Sequence, residues 1–250
     1  MNPAFAYVYD DVLSDRRYER EIGTLETELA RRGIEGRVAR LAMFRNPREM
    51  AADLMKVGVK NVVLVGRDQM LKDLMAFAPD LEVTLGYLPI GAPSEIAALL
   101  GIPNGIGSVD VLAARLVEIL DVGRLNDRYF LTEVVAPSTK ACVDIEGKYR
   151  VSPTEHGAIA IRNLAGGGEG STLADPQDGR LEVVIQARVG SRWWKKGALE
   201  ETRMWLTRGA IRSAQPIDIF VDGEKMRGTE FHLSIVPKKL KIITGRRQPR

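Results

Sequence analysis

The chain has 250 residues, of which 45% are apolar and 28% charged, with a formal net charge of +3, one cysteine and two histidines. That balance describes an ordinary globular protein of one large or two smaller domains. It argues against disorder, against an internal disulfide and against a Cys/His zinc cluster. No apolar run approaches the ~20 residues of a membrane span, and the start, MNPAFAYVYDD, lacks the basic segment and apolar core of a signal peptide. The expectation is a cytoplasmic chain whose mild basicity is compatible with anionic partners but does not select nucleic acid. Cys142, between Ala141 and Val143, reads as a small core residue rather than a nucleophile.

The first half alternates strand-like and helix-like segments. FAYVYD (5–10) is a strand, and Tyr18, Ile22, Leu25 and Leu29 recur at helical spacing up to Gly33. GRVARLAMF (36–44) is the next strand, and Asn46-Pro47-Arg48-Glu49 has the form of a helix start with a capping box. NVVLV (61–65) is the third strand, followed by a helix carrying Leu71, Leu74 and Met75. EVTLGYLPI (82–90) is the fourth, and Ser94 to Leu100 a short helix ended by Gly101. A helix capped by Ser108 then carries Val109, Leu112, Ala113, Leu116, Val117 and Leu120. Strict alternation of this kind implies a parallel sheet covered on both faces, with ligands received beyond the carboxyl ends of the strands.

From about residue 128 the pattern changes to short strands separated by Gly, Pro, Asn and Asp: YFLTEVVA, KACVDIEG, KYRVS, GAIAIRNL, LEVVIQARV, IDIFVDG and EFHLSIVPKKLKIIT. One helix, roughly 191–208, is expected to hold Trp193, Trp194, Leu199 and Trp205. The expected architecture is an α/β domain over residues 1–125 followed by an antiparallel β-sandwich domain over residues 126–250.

Several segments, in order, resemble the diacylglycerol kinase catalytic family, which is related to sphingosine and NAD kinases. LPIGAPSEIAALLGIP (88–103) resembles that family's second nucleotide loop and its helix. DVGRLNDRYFLTEV (121–134) is similar to its crossing into the second domain, and Asn163, the glycine run 166–170, ADPQDGRLEVVI (174–185) and IDIFVDGEKM (217–226) resemble its sandwich. The resemblance implies ATP and magnesium as cofactors and a lipid hydroxyl as phosphate acceptor.

The residues of the nucleotide loops depart from that pattern. The family's phosphate loop reads Gly-Gly-Asp-Gly-Thr after the third strand. Here VGRDQML keeps Gly66 and Asp68 but has Arg67, Gln69 and Met70 in place of Gly, Gly and Thr. Glycines there let backbone amides close on an anion, and a side chain obstructs that approach. In the second loop Gly91 remains, while Ala92, Pro93, Ser94 and Glu95 replace Thr, Gly, Asn and Asp, and Pro93 removes a backbone donor. The first loop is YDDVLSD, which faces a triphosphate with two carboxylates. The second domain keeps more. Glu224 in VDGE matches the family's general base, and Asp178, with the carbonyls of Asp175 and Arg180, matches a structural magnesium loop.

Each candidate has two readings. Asp68 either holds magnesium or caps the helix that follows it. Arg67 either grips phosphate with its guanidinium fork or is solvated. Glu224 either serves as base or belongs to an ordinary Asp-Gly hairpin turn, and Asp178 shares that ambiguity. Arg192-Trp193-Trp194-Lys195-Lys196 either meets a membrane interface or packs inward. The basic tail with Arg246, Arg247 and Arg250 either touches anions or is solvated. The function expected from this set is that of a lipid-kinase-like protein with degenerate phosphate loops, a binding or regulatory member. The alternatives are an active ATP-dependent lipid kinase and a peripheral scaffold at the inner membrane surface. A lipid or membrane partner and a homodimer are implied by the resemblance; no nucleic acid is expected.

Overall fold

The computed structural model describes residues 5–40, 49, 53, 56, 58–76, 78–153, 157–165, 174–189 and 198–246. The predicted helix start at Asn46 and Pro47, the glycine run 166–170, the Trp193-Trp194 segment, Arg247 and Arg250 lie outside them. Contacts divide the chain into two compact units, 1–120 with 239–250, and 121–238. Residues 239–246, assigned from sequence to the second domain, therefore belong to the first unit.

In the first unit, strands β1 (Phe5–Tyr9), β2 (Arg37–Arg40), β3 (Asn61–Gly66) and β4 (Thr84–Pro89) run parallel in the order β4-β3-β1-β2. Lys241 and Ile242 add a further parallel strand beside β4. β1 and β3 are buried along their whole length, as expected of central strands covered on both faces. Helix α1 (Glu19–Arg31) buries Leu25 and Leu29, one face of the periodicity seen in sequence, in a core with Tyr7, Val63, Leu88 and Leu112. Helices α2 (Asp68–Met75), α3 (Glu95–Leu99) and α4 (Ser108–Ala114) follow. The helix predicted to reach Leu120 stops at Ala114, because Arg115 turns left-handed with φ +51° and ends it. Leu116 lies beyond that cap, and Val117 and Leu120 belong to strand β5 (Val117–Leu125). Ser108 is the first helical residue rather than the cap, and its hydroxyl donates to the Gly105 carbonyl at 2.6 Å.

The second unit is antiparallel. It contains β6 (Arg128–Phe130), β7 (Glu133–Ala136), β8 (Ala141–Ile145), β9 (Tyr149–Val151), β10 (Ala158–Arg162), β11 (Leu181–Val189), β12 (Ala198–Leu206), β13 (Arg208–Val221) and β14 (Glu224–Ile243), the last running on into the first unit. The order is β12-β11-β10-β7-β13-β14, with β8 also on β13 and β9 on β8. β13 breaks register between Arg212 and Ile217, which lets its two halves pair with different strands, β8 and β7. One apolar core includes Phe130, Val143, Ile161, Val183, Ile219 and Phe231. The helix predicted over 191–208 is absent where the chain is described: 198–206 is β12, paired with β11 through nine residues from Leu181↔Leu206 to Val189↔Ala198. Trp205 stands outward on that strand, 56% exposed. Among the described residues, no helix is long and apolar enough to cross a membrane.

Candidate functional site

The first unit brings three turns together at the carboxyl ends of β1, β3 and β4. Gly66 has φ +152°, and a Cβ there would overlap the Cβ of Asp10. The glycine is therefore required by close approach of the β1 turn. Asp10 is 8% exposed and faces Arg67, whose Nε donates to Oδ2 at 2.9 Å and Nη2 to Oδ1 at 3.1 Å. The Arg67 backbone N–H also donates to Oδ2, at 3.4 Å, and Val12 N–H to Oδ1, at 3.2 Å. A fork of this geometry is the strong, bidentate form of the charge-assisted hydrogen bond. The Arg67 guanidinium thus closes on an internal carboxylate.

Burial works to raise the Asp10 pKa, but the hydrogen bonds from Arg67 and Val12 and the Arg67 charge outweigh it and hold the carboxyl below its ordinary value. A group depressed on folding stabilises the fold fully above its unfolded pKa, about 3.9, and that contribution is lost as pH falls through the lower folded value. In Arg67→Gln the burial is no longer offset, so acid unfolding begins at higher pH than in the parent. At neutral pH the half-exposed pair contributes on the order of 1 kcal/mol. Acid titration followed by circular dichroism checks both statements; identical acid midpoints would contradict them.

Asp68 opens α2 but serves α3. Its Oδ2 accepts from the backbone N–H groups of Glu95 at 3.1 Å and Ile96 at 3.4 Å. Its Oδ1 accepts from the Ser94 hydroxyl and lies 2.9 Å from the Tyr87 hydroxyl, which is also 3.1 Å from the Gly66 carbonyl. Burial pushes the Tyr87 hydroxyl pKa far up, so it stays a neutral hydrogen-bond donor. Ser94 is the N-cap of α3 and accepts from Ala97 N–H at 2.8 Å, while Asn104 Oδ1 accepts from Ser94 N–H at 2.9 Å. Asp68 does not cap the helix it opens, whose N-cap is Arg67 with no side-chain cap hydrogen bond; its carboxylate serves the start of α3 instead. Gly91, at φ +92°, is covered by Leu13 and Tyr18, and its carbonyl lies 3.4 Å from the Tyr18 hydroxyl. Glu95 is exposed and takes part through its backbone. At both the turn after β3 and the start of α3, backbone N–H groups donate to a carboxylate of the chain, Asp10 at one and Asp68 at the other.

In the second unit, Asp222 and Gly223 have φ of +49° and +88° and join Val221 to Glu224 as the two-residue hairpin read from VDGE. Glu224 is about half exposed and pairs with Arg128 Nη2 at 2.6 Å. The hydrogen bond and charge of Arg128 hold its carboxyl below the usual range. That favours the ionised form but weakens it as a proton acceptor. Asp222, 3% exposed, is the more heavily engaged carboxylate. It accepts from the N–H groups of Leu131 at 2.8 Å, Thr132 at 2.8 Å and Glu133 at 3.2 Å, and from the Thr132 hydroxyl at 2.5 Å. Sequence reasoning passed over it as a turn residue.

The loop 175–180 is organised by Asp121, also absent from the sequence reading. Asp121 is 2% exposed and accepts from Gly179 N–H at 2.8 Å and Lys238 N–H at 2.7 Å. Asp178 Oδ1 accepts from Arg180 N–H at 2.9 Å, and Asp175 Oδ1 from Gln177 N–H at 3.1 Å. Burial, with the nearby charges of Asp175 and Asp121, pushes the Asp178 carboxyl upward. Among the described residues no group of three or more His, Cys, Asp or Glu is placed to hold a metal ion. Of the carbonyls the resemblance implies as ligands, that of Asp175 accepts from Asp178 N–H at 3.4 Å.

No protein-family model matches the chain. Solved structures described as diacylglycerol kinases from Bacillus anthracis str. Sterne are similar to it, with TM-scores of 0.77, 0.75 and 0.76, each at 12% identity and covering 97% of both chains. The chain has the fold of the diacylglycerol kinase-like proteins.

Proposed function

We propose that this is a lipid-kinase-fold protein whose nucleotide loops no longer receive ATP, and which acts by binding or regulation rather than by phosphoryl transfer. The observation that carries this reading is the pair of internal carboxylates, Asp10 on the Arg67 turn and Asp68 on the start of α3. Phosphoryl transfer depends almost wholly on positioning and electrostatic stabilisation of the phosphates. Here the groups suited to that task hold one another. A triphosphate would have to displace Asp10 from a bidentate guanidinium and meet its negative charge. Glu224, held ionised by Arg128, supports the same reading, because a base is most effective with a pKa near the working pH. Where magnesium enters, Asp178 with the carbonyls of Asp175 and Arg180 would hold it as a structural ion.

The test is transfer of the γ-phosphate of ATP to diacylglycerol in mixed micelles, with the parent and Glu224→Gln side by side. The expected result is no transfer above background in either. Transfer by the parent that is abolished in Glu224→Gln would establish an active lipid kinase and end this reading.

A further inference from the structure

The second unit carries a polar cavity at the open end of the β13–β14 hairpin, away from the Glu224 turn. Its volume is about 490 Å³. It lies where Asp144, Ala210 and His232 stand side by side across β8, β13 and β14, alternating with the core residues Val143, Ile211 and Phe231. The small side chain of Ala210 leaves the recess between its larger neighbours, which Arg124 on β5 and Arg208 and Arg212 on β13 also line.

The two acids of the lining are already bonded within the chain. Asp144 is paired with Arg212 and with Arg150, at 2.6 Å. Glu146 accepts from the backbone N–H of Thr207 at 2.6 Å, its hydroxyl at 2.8 Å, and Arg208 N–H at 3.2 Å. Arg212 is also held by Glu230 at 2.8 Å. By contrast, Arg208 is 80% exposed, and its ion pair among the described residues is a long one, with Glu146 at 3.8 Å. Arg124 donates Nε to the Asn126 carbonyl at 2.9 Å, and its Nη2 lies 3.6 Å from the carboxylate of a fully exposed Asp127. Two exposed guanidinium groups, each in one loose ion pair, therefore border one recess whose acids are already hydrogen-bonded within the chain.

We propose that this recess binds the phosphate group of a soluble phosphate monoester, with Arg124 and Arg208 as the clamp. Planar forks with paired N–H donors match phosphate oxygens bidentately, which a point charge does not. The volume lies within the range of small-molecule sites and leaves room beside the phosphate for an organic group. Among the described residues, none of the exposed large apolar side chains, Val38, Leu116, Ile119, Tyr149 and Trp205, lines the recess, which favours a soluble ligand over a lipid surface.

Isothermal titration of the full chain with phenyl phosphate tests the site. The expected result is saturable binding that weakens at least about tenfold in Arg124→Gln and again in Arg208→Gln, the loss anticipated for one charge-assisted fork. Arg227→Gln, which removes another exposed cation on the hairpin, should bind as the parent does. Both clamp residues are exposed, so their variants keep the parent's thermal midpoint. Absence of saturable heat, or an equal loss in Arg227→Gln, would overturn the proposal. So would co-sedimentation with phosphatidylcholine vesicles containing phosphatidate that depends on Arg124 and Arg208 while phenyl phosphate gives no heat.

Discussion

Replacing Asp222 with alanine is expected to destabilise the second unit by about 3 kcal/mol or more, a large change for a single position. One buried carboxylate satisfies three consecutive backbone N–H groups, Leu131, Thr132 and Glu133, together with the Thr132 hydroxyl. Alanine leaves those donors facing a space that no protein acceptor fills, and each buried orphan costs on the order of 1–3 kcal/mol before water relieves part of it. Urea unfolding reads the global loss, and hydrogen exchange at 131–133 reads its origin. Glu224→Gln, two residues away, removes one half-exposed ion pair and should cost less than about 1 kcal/mol. Equal losses in the two variants, or amides at 131–133 that stay protected in Asp222→Ala, would contradict this account of the hairpin.

The second large effect is expected at Asp68. Asp68→Ala removes the acceptor of two N–H groups at the start of α3 and of the Ser94 hydroxyl, and takes a partner from the buried Tyr87 hydroxyl. The predicted loss is about 2–4 kcal/mol, more than a single solvent-exposed cap would give, because the network is largely buried. Magnesium with ATP should not restore it. A variant with unchanged thermal stability but lost magnesium-dependent nucleotide binding would return Asp68 to the role of a metal ligand.

The parallel strands of the first half were legible because β1 and β3 are apolar runs bounded by turn residues, and the burial that makes them central strands is written in that composition. The segment 198–206 misled. Ala198, Leu199, Glu200, Glu201 and Met204 are good helix formers, yet nine residues of pairing with β11 override that preference. The helix ending at Ala114 misled for another reason. Leu116, Val117 and Leu120 continue the helical spacing by coincidence, and a left-handed Arg115 is not a signal that apolar periodicity can reveal. At the candidate site, the loss of glycines around Arg67 and Asp68 was visible. Their partners were not, since Asp10 lies 57 residues from Arg67 and Glu95 lies 27 from Asp68. Asp121 and Asp222 escaped for the same reason: a carboxylate that accepts from distant backbone amides has no local pattern.

The central claim is that Asp10 and Asp68 fill the positions a nucleotide's phosphates would take. Isothermal titration of the parent with ATP, with and without magnesium, tests it most directly, with Asp68→Asn and the double variant Arg124→Gln/Arg208→Gln as controls. The account predicts no magnesium-dependent heat in any of the three, and any weak magnesium-independent heat to vanish in the double arginine variant. Saturable binding that requires magnesium, survives in the arginine variant and is lost in Asp68→Asn would contradict it.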